Sequence, residues 1–147
     1  MTERNVYSAP RSILLINGGR ADAERMDAQF RRGDAVVKLH FVIDGEEAIE
    51  FLMKRDRYKD APRPVLIVLD MRLANGGGFE MLTLAKRDRQ LARIPIIVLS
   101  ASRDGDIQKA YALHANCCVN RPKTAEELTR FVEFINMFWL ELMTLPN

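Results

Sequence analysis

The amino-acid sequence predicts an α/β fold, a doubly wound, five-stranded parallel sheet covered by helices on both faces. Short apolar runs alternate five times with segments of helical period, and strict alternation of this kind is typical of parallel sheets. The runs at 13–16, 65–69 and 95–99 are apolar throughout, as expected of strands that are buried on both faces. With 147 residues, of which 48% are hydrophobic and 29% charged, the chain has the size and composition of one globular domain.

The five strand–helix units follow one another without a long linker or an internal repeat. Two helices begin with a capping box, in which a polar N-cap residue is followed three positions later by Glu: Asp44 with Glu47, and Thr124 with Glu127. The predicted strands cover 13–16, 36–43, 65–69, 95–99 and 116–119, and the predicted helices cover 21–32, 45–55, 79–87, 104–113 and 124–143.

We expect a single domain over residues 1–147, with a flexible start at 1–10 and a long last helix and tail at 124–147. The formal net charge is +2, so no strong electric field should draw the chain to nucleic acid or to a membrane. The longest apolar run, 65–69, is far shorter than the ~20 residues of a membrane span. Because the start also lacks a signal peptide, a cytoplasmic location is expected. Two adjacent cysteines and two histidines are too few for a disulfide framework or structural zinc.

In a doubly wound parallel sheet, functional sites lie beyond the carboxyl ends of the strands. Asn17-Gly18-Gly19 lacks the spacing of a dinucleotide fingerprint or a phosphate-binding loop with its lysine, so a tight turn is favoured over an anion cradle. The other residues predicted at this edge are Asp44, Asp70, Ser100 and Arg121-Pro122.

This ordered set resembles the CheY-like receiver domain of bacterial response regulators, a flavodoxin-like fold, over nearly the full chain. The family pattern is an acid pair, a phospho-accepting Asp, a Ser or Thr and a Lys-Pro pair, each after a different strand. The resemblance implies that Asp70 is the phospho-acceptor and that Ser100 and Arg121 contact the phosphate. Residues 58–64 and 115–117, with the tail after 138, further resemble single-domain regulators that partner phytochrome-type histidine kinases.

The chain departs from the family pattern at the acid pair. In the family, two acids after the first strand join the acceptor Asp in holding Mg²⁺, a hard cation that prefers carboxylate oxygens. The matching positions are Asn17, which offers one neutral carbonyl, and Gly18, which offers no side chain. Asp22 lies about a turn into the next helix and is expected to point away from Asp70. We therefore expect no dedicated metal site, and only weak Mg²⁺ binding.

Cations are expected near Asp70 instead of acids. Arg121 stands where the family has Lys and keeps the positive charge, but its planar fork has a different reach. An ion pair with Arg121 would hold the carboxylate without metal, and the sequence leaves Arg72 and Arg20 open as further partners. Cys118 replaces the aromatic residue that rotates on activation in the family, so the usual coupling between this position and Ser100 is not expected.

The last helix is apolar over a wide arc. On a helical wheel of about 3.6 residues per turn, one stripe is suited to packing on the sheet. A second apolar flank lies roughly 80–120° away from this stripe around the helix axis. One sheet cannot readily cover both, so the second flank predicts a homodimer interface. The packing stripe is Leu128, Val132, Ile135, Trp139 and Leu142, and the second flank is Phe134, Phe138 and Leu145, widened by Phe131 and Met137.

The sequence favours a signalling module that docks other proteins, and not an enzyme. Two hypotheses stay open: a phospho-switch in which Asp70 accepts phosphate from a kinase histidine, and an adaptor that works without phosphorylation. The depleted acid pair favours the adaptor. The expected partners are a sensor histidine kinase of the phytochrome type and a second copy of the chain.

Overall fold

The computed structural model describes residues 11–16, 19–32, 37–71, 77–100 and 104–137. The strands are β1 (Arg11–Ile16), β2 (Val37–Val42), β3 (Leu66–Asp70), β4 (Ile96–Ser100) and β5 (Cys117–Asn120), and the helices are α1 (Arg20–Arg32), α2 (Gly45–Leu52), α3 (Gly77–Arg87), α4 (Asp104–Ala112) and α5 (Ala125–Phe134). All strand pairs are parallel, in the order β2-β1-β3-β4-β5. The predicted doubly wound α/β fold is confirmed.

The sheet separates two apolar clusters, one on each face. Side chains of α2, α3 and α4, such as Phe51 and Met81, pack on one face, and those of α1 and α5, such as Phe30, pack on the other. Our expectation that Phe131 widens the outer flank of the last helix is wrong. Phe131 is 5% exposed and belongs to the second cluster, together with Val132 and side chains of the sheet.

Helix α2 ends at Leu52, earlier than the predicted residue 55, because the following turn leaves the helical conformation. Lys54 and Asp56 have φ angles of 54° and 50°, a left-handed region that disfavours residues with a Cβ. A short 3-10 turn then covers Asp56–Tyr58, and a second one, Leu91–Arg93, leads into β4. Neither of these short turns was predicted from the sequence.

Both predicted capping boxes are confirmed. The Asp44 carboxylate accepts a hydrogen bond from Glu47 N at 2.8 Å, and the Thr124 hydroxyl accepts one from Glu127 N at 3.1 Å. After Phe134 a π-helical turn spans 135–137. The predicted continuation of the last helix, with Phe138 and Leu145, lies outside the described residues. Within the described part of the chain, no helix has the length and apolar character of a bilayer span.

Candidate functional site

The strand ends bring Asp70 and Ser100 to the same edge of the sheet. Asp70 is the last residue of β3 and Ser100 the last of β4, and these two strands pair directly. Their exposed fractions are 1% and 2%, and Ser12 is the other polar residue found buried in the described part. A carboxylate withdrawn from water to this degree requires a compensating partner.

Arg121 is that partner, and it holds both oxygens of the Asp70 carboxylate. Its Nε donates to Oδ2 at 3.1 Å and its Nη2 donates to Oδ1 at 2.8 Å, the bidentate geometry that makes arginine–carboxylate pairs strong. The pair is enclosed, since the Arg121 side chain is 15% exposed. The Arg121 N–H also donates to the Ser100 carbonyl at 2.8 Å, so the residue after β5 is fixed to the end of β4 while its side chain reaches β3.

Arg121, Pro122 and Lys123 separate two surface grooves. The groove toward α1, about 470 Å³, also contains Asp70 and Asp22. The groove on the other side, about 520 Å³, is lined by Ser100, Asn120 and side chains of α5 that include Phe134. Any movement of the 121–123 segment would therefore change both grooves at once.

Asp22 lies closer to this site than the sequence analysis expected. We predicted that it points away from Asp70, yet both residues line the same groove. The first turn of α1 follows the carboxyl end of β1, which places Asp22 above the sheet edge. Its carboxylate accepts from Arg25 Nη1 at 3.1 Å, so it already bonds a cation of its own helix.

The side chains in the described part do not fit a divalent cation. Mg²⁺ prefers carboxylate oxygens and waters in octahedral geometry, whereas both Asp70 oxygens accept from Arg121. No cluster of three or more acidic, His or Cys side chains that could hold a metal occurs among the described residues. Asn17 and Gly18, the positions of the family acid pair, lie outside the described residues, and neither carries a carboxylate.

The other predicted neighbours are distributed around the site. Arg20 opens α1, is exposed, and makes no ion pair within the described ranges, while Arg72 falls outside them. Phe134 is 38% exposed at the second groove. The Cys117 and Cys118 thiols are half-buried, and burial raises the pKa of both, which keeps them in the protonated, unreactive form.

Comparison with known proteins places this geometry in a family. The family model of the response regulator receiver domain matches residues 13–133. The chain belongs to the response regulator receiver domain family. This receiver is 35% identical over 138 residues to the response regulator Rcp1 of Synechocystis sp., a match that covers 93% of this chain and 94% of Rcp1. It is therefore a component of the two-component type of signalling.

Two solved structures are similar to this receiver over nearly its whole length. The Mn²⁺-bound form of Rcp1 has a TM-score of 0.86 and 34% identity, and covers 94% of this chain and 100% of its own. The phosphorylated cyanobacterial phytochrome response regulator RcpA has a TM-score of 0.88 and 35% identity, and covers 95% and 100%. Both likenesses extend well beyond the site, through all five strand–helix units.

Sequence reasoning missed the contribution of Asp22 and Lys123 to the groove beside Asp70. The positions of these residues in the sequence could have indicated their contribution. Asp22 lies in the first turn of α1, and Lys123 directly follows Arg121-Pro122. Side-chain direction within a helix's first turn depends on how the helix leaves the sheet. The sequence pattern alone does not specify that angle.

Proposed function

We propose that this receiver passes its signal by docking other proteins and that its phosphorylation and Mg²⁺ chemistry are weakened. It then acts as an adaptor in a His-Asp signalling system and needs no cofactor or enzymatic activity of its own. The single observation that supports this proposal is the bidentate Arg121–Asp70 pair. Asp70 is the phospho-acceptor position, and Ser100 and Arg121 are the phosphate-contacting positions.

The Arg121–Asp70 pair hinders phosphoryl transfer in two ways: it occupies the attacking carboxylate, and it engages the cation that would stabilise the transferring group. Asp70 must attack phosphorus with one carboxylate oxygen, and each oxygen is already an acceptor for Arg121. A metal ion would offset the negative charge that develops on the transferring group. In the described part, that task falls to Arg121, to the Ser100 hydroxyl and to Lys123 from the same groove as Asp70, and Arg121 must first release Asp70.

A conventional phospho-switch is the second candidate, and the relatives favour it. Rcp1 has been crystallised with Mn²⁺ and RcpA in a phosphorylated state. Because the sequence identity is about one third and the folds are similar, this chain's fold is compatible with a metal-bound and a phosphorylated state. In that case Asp70 accepts phosphate from a kinase histidine, and the freed Arg121 moves with the transferred group.

The proposed partners are a histidine kinase of the phytochrome type and a second copy of this receiver. RcpA is a phytochrome response regulator by name, which supports the kinase class. The grooves on either side of residues 121–123 give such partners recessed surfaces next to Asp70. We propose that the edge of the sheet beside Asp70 contacts neither nucleic acid nor membrane. The proposed location of the protein is the cytoplasm.

The test is phosphorylation by acetyl phosphate with Mg²⁺, followed by intact-protein mass spectrometry. We expect little or no mass increase in the native chain. Arg121→Lys should increase labelling, because lysine keeps the charge but lacks the planar fork that bonds both Asp70 oxygens in parallel. Asp70→Asn is the matched control, since it removes the acceptor and keeps the side-chain shape.

Binding to a phytochrome-type kinase is measured in parallel, with and without Mg²⁺ and ATP. Under the adaptor proposal, complex formation is the same in both conditions and survives in Asp70→Asn. Rapid, stoichiometric labelling of the native chain, together with kinase binding that depends on Asp70, would establish the phospho-switch instead.

A further inference from the structure

The end of the sheet opposite Asp70 is strongly basic. The loops that enter β3 and β4 lie there, because parallel strands all begin at the same end. Residues 54–63 and 86–93, hereafter the basic end, contain nine Lys and Arg and three Asp, a net charge of +6. The whole chain carries +2, so the remainder carries −4. The low net charge of the chain therefore conceals a concentration of positive charge in these two segments.

The two segments of the basic end meet at a small groove of about 170 Å³ between the ends of α2 and α3. Buried Leu52 and Leu91 and the 39% exposed Met53 give this groove apolar walls. Exposed Lys54 and Arg63 line it as well. Asp88 and Gln90 complete the lining, so the groove combines three apolar side chains with two cations and one acid.

Most of these cations are not used inside the fold. Arg57 pairs with Glu47, and Lys86 Nζ donates to Asn116 Oδ1 at 2.8 Å. Within the described residues no ion pair is formed by the other seven, all of them exposed: Lys54, Arg55, Lys59, Arg63, Arg87, Arg89 and Arg93. Seven like charges gathered at one end repel one another and lower the stability of the fold. A negatively charged partner would remove that repulsion.

One acid of the basic end is already engaged. The Asp88 carboxylate accepts from Gln90 N at 2.9 Å and from Leu91 N at 3.0 Å, which caps the 3-10 turn before β4. The Asp88 carboxylate is therefore used to bond these backbone N–H groups, and it offsets the neighbouring cations only weakly. Six of the nine cations are arginines, whose planar forks match carboxylates and phosphates in bidentate fashion.

We propose that the basic end binds an acidic segment of another protein, with an apolar side chain of that segment in the groove beside Met53. The apolar side chains of this groove suit a protein segment better than single-stranded nucleic acid, whose bases stack on exposed aromatic rings. Tyr58 is the single aromatic residue of these segments, and its ring faces Phe51 at 5.2 Å. Insertion into a membrane interface needs several exposed apolar side chains, and Met53 is the large one exposed at this groove.

This surface is independent of the chemistry proposed for Asp70. The Asp70 edge is formed by the carboxyl ends of the strands, and the basic end by the loops that precede them. An adaptor with both surfaces can hold a kinase at one end and a second, acidic protein at the other. The proposal therefore stands whether or not Asp70 is phosphorylated.

The test is fluorescence anisotropy with a fluorescein-labelled peptide of glutamates around a central leucine. At about 0.1 M ionic strength, where the Debye length is about 10 Å, contact charges still act while distant ones are screened. Lys54→Gly with Arg63→Glu should weaken binding at least about tenfold, as expected for close charge pairs. Glycine suits the left-handed backbone at residue 54, so this variant should fold at least as well as the native chain.

The matched control is Lys109→Gln with Arg130→Glu, which makes the same change in net charge on α4 and α5. It should weaken binding less than about twofold, since those side chains lie away from the groove. Replacing the central leucine of the peptide by glycine should weaken binding to the native chain but not to the Lys54→Gly, Arg63→Glu variant. Circular dichroism verifies that each variant is folded.

Three outcomes would overturn the proposal. The control variant could lose as much affinity as the test variant, which would show diffuse attraction and no specific surface. The native chain could bind a short DNA duplex or vesicles of phosphatidylserine and phosphatidylcholine more tightly than the peptide. It could also fail to bind the peptide at all at about millimolar affinity or better, the level that a weak specific contact reaches.

Discussion

Asp70 and Arg121 are residues whose charges are each satisfied by the other. The carboxylate has 1% of its surface exposed, and both of its oxygens accept from one guanidinium. The arginine thus supplies the positive charge that a metal ion supplies in a receiver with a full acid pair. Because the Arg121 guanidinium takes the place of the metal ion beside Asp70, little affinity for Mg²⁺ is expected.

Mg²⁺ should bind this receiver weakly, without saturating in the low-millimolar range. The double change Asn17→Glu, Gly18→Asp should raise the affinity by adding two carboxylates, and adding Arg121→Lys should raise it further by removing the bidentate fork that holds Asp70. The measurement is the shift of backbone amide resonances near Asp70 during an Mg²⁺ titration. Saturation of the native chain by low-millimolar Mg²⁺ would contradict the prediction.

A second residue-scale prediction concerns His40, on the edge strand β2. Burial lowers the pKa of His40 below its usual 6.5, and nearby Lys38 lowers it further. Its Nε2 is buried and has no hydrogen-bond partner within the described residues, and its ring lies 5.3 Å from that of Phe51. The neutral form is therefore the one that the fold accommodates.

Because the folded-state pKa of His40 is lowered, the unfolded chain binds more protons between that value and 6.5. Stability should rise with pH through this window and level off above it. In His40→Gln the rise should be reduced. Urea unfolding at about pH 5 and pH 7 on both proteins gives the comparison, and an unchanged pH dependence in the variant would show that other groups cause it.

At the scale of elements, Glu47 joins α2 to the loop that leads into β3. Its Oε1 accepts from Ile43 N at 2.8 Å, and its Oε2 accepts from the Tyr58 hydroxyl at 2.7 Å and from Arg57. One carboxylate thus closes the start of the helix and holds the 3-10 turn Asp56–Tyr58. The Tyr58 pKa is raised, first by burial and then by its bond to Glu47.

Glu47→Ala should lower the free energy of unfolding by about 1–3 kcal/mol, because several donors lose their acceptor. Tyr58→Phe should cost about 1 kcal/mol in the native background and close to nothing in Glu47→Ala, since both changes remove the same hydrogen bond. The measurement is urea unfolding of the four proteins. Strictly additive effects would mean that the two side chains act separately.

The elements that the sequence predicted well are those with a strong local signal. The apolar runs predicted all five strands, and the capping boxes predicted where α2 and α5 begin, at Asp44 and Thr124. The early end of α2 was missed, because positive φ angles at Lys54 and Asp56 have no signature in a chain without glycine there. Phe131 was misplaced because its burial depends on a cluster whose other members are mostly distant in sequence.

The central residues of the site were predictable, but its geometry and the contributions of Asp22 and Lys123 were not. Parallel strands with known carboxyl ends bring Asp70, Ser100 and Arg121 together, as the sequence indicated. The sequence left three arginines as possible partners of Asp70. The hydrogen bond from Arg121 N to the Ser100 carbonyl fixes where the Arg121 side chain starts. From that position its guanidinium reaches both oxygens of Asp70.

At the scale of the whole molecule, the apolar surface of α5 is only partly covered. Val132 and Ile135 are buried against the sheet, as the packing stripe predicts, whereas Phe134 is 38% and Met137 57% exposed. Phe138 and Leu145, the other members of the predicted flank, lie outside the described residues. The exposed part of the flank is the basis for the last prediction, a homodimer that forms without phosphorylation.

Each large apolar side chain left in water forfeits about 1.5–3 kcal/mol of burial, and a twofold axis lets the same patch cover itself. The native chain should therefore be dimeric by light scattering at tens of micromolar, and Phe134→Ser with Phe138→Ser should yield a folded monomer. Ile43→Ser with Met53→Ser is the matched control, because both residues are exposed apolar side chains away from α5, and it should remain dimeric. A monomeric native chain, or a dimer that survives loss of both phenylalanines, would mean that the flank is covered within one chain.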